Sequence, residues 1–376
     1  AVLLVGRPYH VDPEINHGVP EMIQSYGLPV ISEDAVAELP VKDKNLNIVN
    51  QWSYHSRLYH AAQFAVEHGL TLIQLSSFGC GLDAITTGQV KSILEARHNI
   101  YTMIKLDEIS NLGAARIRLR SLIAALARRK PACCEAPKPA ERPHFTDECR
   151  KTHTILAPML APIHFELLQP VLKKHGYNVV VPEMPDRAAV DLGLRYVNND
   201  MCYPAIVVIG QLLAALKSGS YDADNTSIIL FQTCGACRAT NYMSVLRQAL
   251  SDAGFPQVPV FACWGLETDA FKFTRGCLLD AAKALIYGDL LMKVKNRVLP
   301  YETEPGSTER LYGKWMERCS AELSEGSFSL FADNVRAIVA DFDALPIREG
   351  LIKPRVGIVG EILVKYHPTA NNQVER

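Results

Sequence analysis

The sequence lacks the features that mark nucleic-acid-binding and membrane-spanning proteins. Its 39 Lys and Arg residues are balanced by 40 Asp and Glu residues, which gives a formal net charge of −1 at pH 7. No stripe of Lys and Arg interleaved with aromatic residues occurs, so no surface for a phosphate backbone is predicted. The most apolar run, residues 205–216, is far shorter than a membrane span of roughly 20 residues and predicts a buried helix.

A signal peptide is also missing, and we expect a cytoplasmic protein. The chain starts without Met inside an apolar strand, AVLLVG, and it stops shortly after a second one, RVGIVGEILV. This pattern is typical of a fragment, so we expect the chain to be part of a longer polypeptide.

Cysteine, in contrast, is abundant, with 10 residues among 376. These residues do not predict a disulfide framework, because hydrophobic residues make up 48% of the chain and suffice for ordinary cores. Under reducing conditions, cysteines in glycine-rich loops more often indicate metal or redox chemistry. The cysteine loops are therefore the candidate functional sites.

Strands alternate with helices in two similar halves, which predicts parallel sheets and an α/β fold with two Rossmann-like, doubly wound lobes. In each lobe an apolar strand enters a cysteine loop that leads into a helix. Ligands of such sheets bind beyond the carboxyl ends of the strands, where both loops fall. The predicted organisation is a first lobe (1–130), a Pro-rich linker (131–151), a second lobe (152–265), a helical region (266–350) and the start of a third, truncated lobe (351–376), with a strand at 355–364.

The first cysteine loop is GCGLDAIT, which follows the apolar run LTLIQLSS. Gly79 and Gly81 allow a sharp turn and the close approach of a bulky ligand, and Cys80 stands between them at the sheet edge. The alternative interpretation is a tight turn with an incidental buried cysteine.

A nucleotide site is the rival interpretation of the same loop. Gly79, Gly81 and Ala84 match G-x-G-x-x-A, and Asp107 follows at about the distance expected of a ribose-binding acid. Two observations count against this reading: the motif follows a later strand of its lobe, and Cys80 occupies the turn that would face the phosphates. An NAD(P)-type oxidoreductase therefore stays an alternative.

The second cysteine, in NNDMCYPA, lies at the predicted start of a helix. Backbone amides and the helix dipole favour an anion there, so the thiolate of Cys202, which a metal requires, is stabilised. The alternative is an ordinary helix start with Cys202 facing the core.

The third cysteine, in TCGACRATNY, has Gly235 before it and a cation beside it. Cys237 pairs with Cys234 as C-x-x-C, and Arg238 supplies positive charge. A zinc site and a thioredoxin-like dithiol are the alternatives. A structural zinc prefers a second C-x-x-C, which is missing, and a thioredoxin-like pair belongs after the first strand of a small domain.

Three cysteines in separate loops suit a [4Fe–4S] cluster, which takes thiolate ligands. Helix N-termini and Arg238 would offset its negative charge. The fourth iron either takes Cys234 or stays open for water or substrate. Three other cysteines lie near His144 in the linker and could bind a metal, although loose thiols are commoner there: Cys133, Cys134 and Cys149. Three more are interpreted as core residues: Cys263, Cys277 and Cys319. Three histidines near strand ends are candidate polar site residues: His10, His17 and His164.

Five segments together resemble the 2-hydroxyacyl-CoA dehydratase superfamily, and within it the large activase-related proteins: GRPYHVDPEINHG, GCGLDAITTGQVK, LRYVNNDMCYP, CRATNY and VGEILVKYHPTANN. The resemblance covers nearly the whole chain in order. It implies oxygen-sensitive iron–sulfur clusters, on cysteines of stacked Rossmann-like lobes, in an anaerobic cytoplasm. It also implies an ATP-hydrolysing activase as partner and an acyl-CoA as the substrate of true dehydratases, whereas related branches carry a double-cubane cluster.

The resemblance carries over to Cys80, Cys202 and Cys237 as cluster ligands, while Cys234 stands where this branch is expected to have glycine. No P-loop and no activase-type phosphate motif is visible, so ATP hydrolysis is expected outside this sequence. We expect the cluster-binding, dehydratase-like part of an ATP-driven electron-transfer enzyme, with Arg238 as the candidate catalytic residue. A non-catalytic zinc or scaffold region that docks an activase is the second alternative.

Overall fold

The computed structural model describes residues 1–42, 46–77, 82–106, 112–128, 141–233, 235, 237–325 and 330–374. Several predicted residues lie outside this set: Gly79, Cys80, Gly81, Asp107, Cys133, Cys134 and Cys234. The chain divides into two compact units. The first comprises Ala1–Glu141, Val197–Cys202 and Thr233–Gln248, and the second comprises Arg142–Tyr196, Tyr203–Gln232 and Ala249–Arg376.

The first unit contains a four-stranded parallel sheet in the order β2-β1-β3-β4. Its strands are β1 (Val2–Val5), β2 (Val30–Ser32), β3 (Thr71–Ser76) and β4 (Thr102–Lys105). Its helices are α1 (Pro13–Asn16), α2 (Val19–Gln24), α3 (Ser53–Glu67), α4 (Asp83–Glu95) and α5 (Gly113–Arg128). The strand order reverses direction between β1 and β3, which is the point where doubly wound sheets bind ligands.

Alternate residues of the central strands cover both faces of this sheet. Leu3 and Leu72 pack with residues of α3 and α4, whereas Val2 and Ile73 pack with residues of α2 and α5. Because successive strand residues point to opposite faces, strands buried on both sides need the continuous apolar runs seen in the sequence.

The second unit contains a parallel sheet in the order β6-β5-β7-β8. The strands are β5 (Thr154–Leu156), β6 (Val179–Val180), β7 (Thr226–Leu230) and β8 (Val260–Ala262). The remaining helices of the chain are α6 (Asp147–Thr152), α7 (Pro162–Lys174), α8 (Arg187–Tyr196), α9 (Tyr203–Lys217), α10 (Tyr242–Ala253), α11 (Arg275–Val298), α12 (Ser307–Glu325), α13 (Phe331–Asp343) and α14 (Ile362–Tyr366). The predicted α/β fold and the helical segment, which α11, α12 and α13 form, are confirmed.

The predicted strand at 355–364 is wrong. Residues 351–361 have no helix or strand, and α14 follows them. Val356 and Val359 are 85% and 89% exposed. A strand needs a neighbour to satisfy its backbone groups, and among the described residues no strand lies beside this segment. An apolar run alone therefore did not make a strand.

The apolar run 205–216 is a buried part of α9, as predicted. Within the described ranges, no helix combines the length and the apolar character that crossing a bilayer requires.

Helices α8 and α9, which flank Cys202 in the chain, make a close glycine-mediated crossing. A Cβ added at Gly193 on α8 would clash with the carbonyl oxygen of Ile206, and one added at Gly210 on α9 would clash with that of Ala189. The two backbones therefore approach as closely as they do only because both positions lack a side chain.

Candidate functional site

The loops that contain Cys202 and Cys237 both belong to the first unit. Cys202 is half-buried, and its Sγ is in hydrogen-bond contact with the hydroxyl of Tyr242, the first residue of α10. Cys237 is exposed and caps the short turn 238–241, where its Sγ accepts a hydrogen bond from the Ala239 N–H at 3.5 Å. The structure thus places two of the predicted ligands at exposed or half-exposed positions of one unit.

Hydrogen bonds tie the Cys202 loop to the start of α4. The side-chain amide of Asn198 donates to the carbonyl oxygen of Ala84 at 3.3 Å and to Oγ1 of Thr87 at 3.4 Å. Cys80 lies in the sequence between the end of β3 and the first residue of α4. The Cys202 loop is therefore anchored directly beside the residues that follow the Cys80 loop.

Two cations converge on Asp200, two residues before Cys202. Lys105 Nζ, at the end of β4, pairs with the Asp200 carboxylate at 2.6 Å. The Arg238 guanidinium donates to the Asp200 carbonyl oxygen at 3.0 Å. Arg238 thus links the Cys237 turn to the Cys202 loop, a structural role that the sequence did not indicate.

Three other described thiols have a different character. Cys263, Cys277 and Cys319 are buried, as interpreted from the sequence. Burial raises the pKa of Cys263 and of Cys319 to about 12, and it also raises the pKa of Cys277. These groups remain protonated near neutral pH, and protonated thiols are poor metal ligands.

The structure describes only part of the predicted ligand set. Among the described residues, no group of three or more His, Cys, Asp or Glu side chains is placed to hold a metal ion. Cys80 and Cys234 lie outside these residues, so the complete set stays a prediction. Beside Cys237, a Cβ added at Gly235 would meet no atom within 4 Å, which leaves open space at the position predicted to admit a cofactor.

A polar network lies at the carboxyl end of β1 in the same unit. The Gly6 N–H donates to Oε2 of Glu33 at 3.0 Å, and Arg57 Nε lies 3.6 Å from the other carboxylate oxygen. Glu33 is 5% exposed. Burial raises its pKa to about 7, and the Gly6 hydrogen bond and Arg57 only partly oppose this effect.

His10 is fixed in one tautomer within this network. Its Nδ1 accepts a hydrogen bond from the Arg7 N–H at 2.9 Å, so the neutral ring carries its proton on Nε2, which donates to Ser77 Oγ at 2.7 Å. Burial lowers the pKa of His10 to about 4, although Asp83 opposes the effect. A Cβ added at Gly6 would lie 2.5 Å from the His10 ring, so Gly6 permits this arrangement.

The network continues to the first residue of α4. Arg7 donates through Nε and Nη2 to one oxygen of Asp83, at 2.9 and 2.8 Å. His55, on α3, lies 3.9 Å from the same oxygen. Neither of its ring nitrogens has a hydrogen-bond partner in the described part of the chain. Of this group, only His10 was predicted from the sequence as a site residue. Asp83, a carboxylate two residues after Gly81, could have been predicted in the same way.

Glu33 and His10 should affect the pH dependence of stability in opposite directions. Folded Glu33 holds its proton more tightly than unfolded Glu33. Its contribution to the free energy of unfolding is therefore lost as the pH rises from 4.5 to 7. His10 is harder to protonate in the folded protein than in the unfolded chain. Its contribution to the free energy of unfolding is therefore lost as the pH falls from 6.5 to 4. Glu33→Gln should therefore gain about 3 kcal/mol over wild type between pH 4.5 and 7.

His10→Asn should lose a similar amount relative to wild type as the pH rises from 4 to 6.5. Urea unfolding at several pH values measures both differences. Curves of unfolding free energy against pH that run parallel to wild type in both variants would contradict this account of the network.

The other predicted polar residues take part in local structure. His164 pairs with Asp289 at 3.0 Å in the second unit. His17 ends α1 in the left-handed conformation, with φ of 52°. His144 pairs with Asp269 at 3.3 Å, and Cys149 lies on α6. These two described residues of the proposed linker metal site are therefore accounted for by local structure.

Comparison with known proteins yields one match. Residues 1–36 match the CoA enzyme activase uncharacterised domain (DUF2229). This segment comprises β1, β2, the His10 turn and Glu33, and the match links the chain to proteins related to CoA enzyme activases. No curated protein and no solved structure matches the chain.

Proposed function

We propose that this chain is the iron–sulfur cluster-binding, dehydratase-like part of an ATP-driven, low-potential electron-transfer enzyme. Cys80, Cys202 and Cys237 would hold the cluster, and Cys234 is the candidate fourth ligand. An activase module would deliver the electrons, and an acyl-CoA is the proposed class of substrate. The match of residues 1–36 to a CoA enzyme activase domain supports the link to this family of enzymes.

The observation that carries the proposal is that the Cys202 loop contacts both the Cys237 turn and the start of α4, which follows Cys80 in the sequence. The Cys202 loop is bonded through Asn198 to the start of α4, and through Asp200 to Arg238 in the Cys237 turn. Cysteine thiolates are the ligands that an iron–sulfur cluster takes.

The surrounding groups fit an anionic cluster. The Ala239 N–H points at Cys237 Sγ, and the Tyr242 hydroxyl contacts Cys202 Sγ. Arg238 adds a positive charge near the same loops, and Lys105 neutralises the carboxylate of Asp200 there. When bound, such a cluster supplies single-electron transfer at low potential, while the protein side chains stabilise its thiolates and its charge.

Metal analysis of anaerobically purified protein tests the proposal. We expect brown protein with about four or more irons per chain and a matching content of acid-labile sulfide. Colourless protein that contains zinc would contradict the proposal and favour a scaffold. Iron-free protein whose fluorescence is quenched by NADH would favour the nucleotide-dependent oxidoreductase.

Tyr242→Phe should lower the midpoint potential of the cluster without loss of iron. The hydroxyl donates to Cys202 when the latter is a thiolate, and a donor to a ligand sulfur favours the reduced, more negative state. Removing a hydrogen bond with a differential strength of about 1 kcal/mol shifts a one-electron potential by on the order of 50 mV. Redox titration followed by EPR measures the shift.

Tyr203→Phe is the matched control, because Tyr203 is 42% exposed and next to the same cysteine in sequence. An unchanged potential in Tyr242→Phe, at equal iron content, would contradict the role of the Tyr242 hydroxyl.

A further inference from the structure

The second unit has a cavity of about 330 Å³ at the carboxyl edge of its sheet. All four strands contribute to its wall the residue that follows their last one: Ala157, Val181, Phe231 and Cys263. Ligands of doubly wound sheets bind at this edge. The sequence predicted a cysteine loop for this place, but the structure assigns the 233–248 segment to the first unit.

The wall of the cavity is almost entirely apolar. Helix α7 contributes Phe165 and Leu172, and α11 contributes Leu278 and Leu285. No Lys, Arg, Asp, Glu or His side chain lines the cavity, and every lining residue lies in the described second unit. A charged ligand group would be desolvated here without a partner, which is costly.

The few polar groups in the wall are uncharged. Burial raises the pKa of Cys263 to about 12, so its thiol stays neutral. The side-chain oxygen of Gln169 accepts a hydrogen bond from the Val181 N–H at 3.2 Å, which leaves the amide nitrogen as a donor. That donor suits a hydroxyl or carbonyl oxygen at one end of a ligand.

Part of this wall faces solvent. Phe231 is 52% exposed, and Leu278 and Leu285 are each 46% exposed. Covering such surface removes apolar area from water and favours binding. The volume suits roughly ten heavy atoms, at about 30 Å³ for each water-sized volume, and lies in the range of small-molecule sites.

We propose that this cavity binds an uncharged hydrocarbon group of roughly ten carbon atoms that carries at most one terminal oxygen. The site goes beyond the proposed iron–sulfur function, because none of its lining residues is a predicted cluster ligand. A test of ligand binding in this cavity is therefore independent of the metal content of the protein.

Isothermal titration calorimetry of the whole chain with 1-nonanol tests the site. We expect saturable binding to wild type and binding at least tenfold weaker in Ala282→Trp, since Ala282 is exposed on α11 and its replacement would fill the cavity. Leu279→Trp is the control, because Leu279 is 53% exposed on the same helix but does not line the cavity. Leu285→Lys, which places a charge in the wall, should weaken binding to a similar degree and serves if Ala282→Trp does not fold.

Two results would overturn the proposal. One is equal binding, or no binding, by wild type and all the folded variants. The other is a wild-type protein that is a dimer in size-exclusion chromatography and binds no 1-nonanol, together with an Ala282→Trp variant that is monomeric. A second copy of the chain would then occupy the cavity.

Discussion

From the proposed ligand set we expect Cys202→Ala and Cys237→Ala each to bind far less iron than the wild-type protein. Both thiols lie in the first unit and are accessible, and a cubane that loses one of its few protein ligands is no longer held firmly. Cys80→Ala should have the same effect if its loop supplies the third ligand. Iron and sulfide analysis of anaerobically purified variants measures the loss.

Cys149→Ala is the matched control for these variants. Cys149 is also a partly exposed thiol, but it lies on α6 in the second unit. It should keep the iron content of wild type. Full iron retention by Cys202→Ala and Cys237→Ala, or equal loss in Cys149→Ala, would contradict the assignment of the ligands.

Gly193→Ala should destabilise the second unit by about 3 kcal/mol, near the upper end of the cost of overpacking. The new methyl group would meet the backbone of Ile206, which cannot rotate away as a side chain would. Helices α8 and α9 would have to separate, and the loop that joins them contains Cys202. Urea unfolding followed by circular dichroism measures the loss.

Gly313→Ala, on α12 of the same unit, is the control. A Cβ at Gly313 would meet no atom within 4 Å, and alanine is favoured over glycine within a helix by roughly 0.5–1 kcal/mol. This variant should therefore be slightly more stable than wild type. An equal response of the two glycines would contradict the close crossing of α8 and α9.

The sequence predicted the fold well where two signals agreed. Apolar runs such as 71–76 and 226–230 were followed by turn residues and helical patterns, and each became a central parallel strand. The run at 355–364 carried the same apolar signal but has no described neighbouring strand, and it stays exposed. Strand formation depends on a partner elsewhere in the chain, which local pattern does not reveal.

Only the reactive residues of the candidate site could be proposed from the sequence. Cys202 and Cys237 were proposed because cysteine near a glycine or a helix start is a local chemical signal. The contacts that join their loops, from Asn198 to Ala84 and from Arg238 to Asp200, connect residues far apart in sequence. Such pairings carry no local periodicity, and the apolar cavity of the second unit escaped notice for the same reason.

An anomalous difference map at the iron absorption edge, from crystals grown without oxygen, tests the proposed cluster most directly. We expect a strong iron peak within bonding distance of the sulfurs of Cys80, Cys202 and Cys237. An iron peak bonded to other residues, or crystals in which these sulfurs have no metal beside them, would contradict the account.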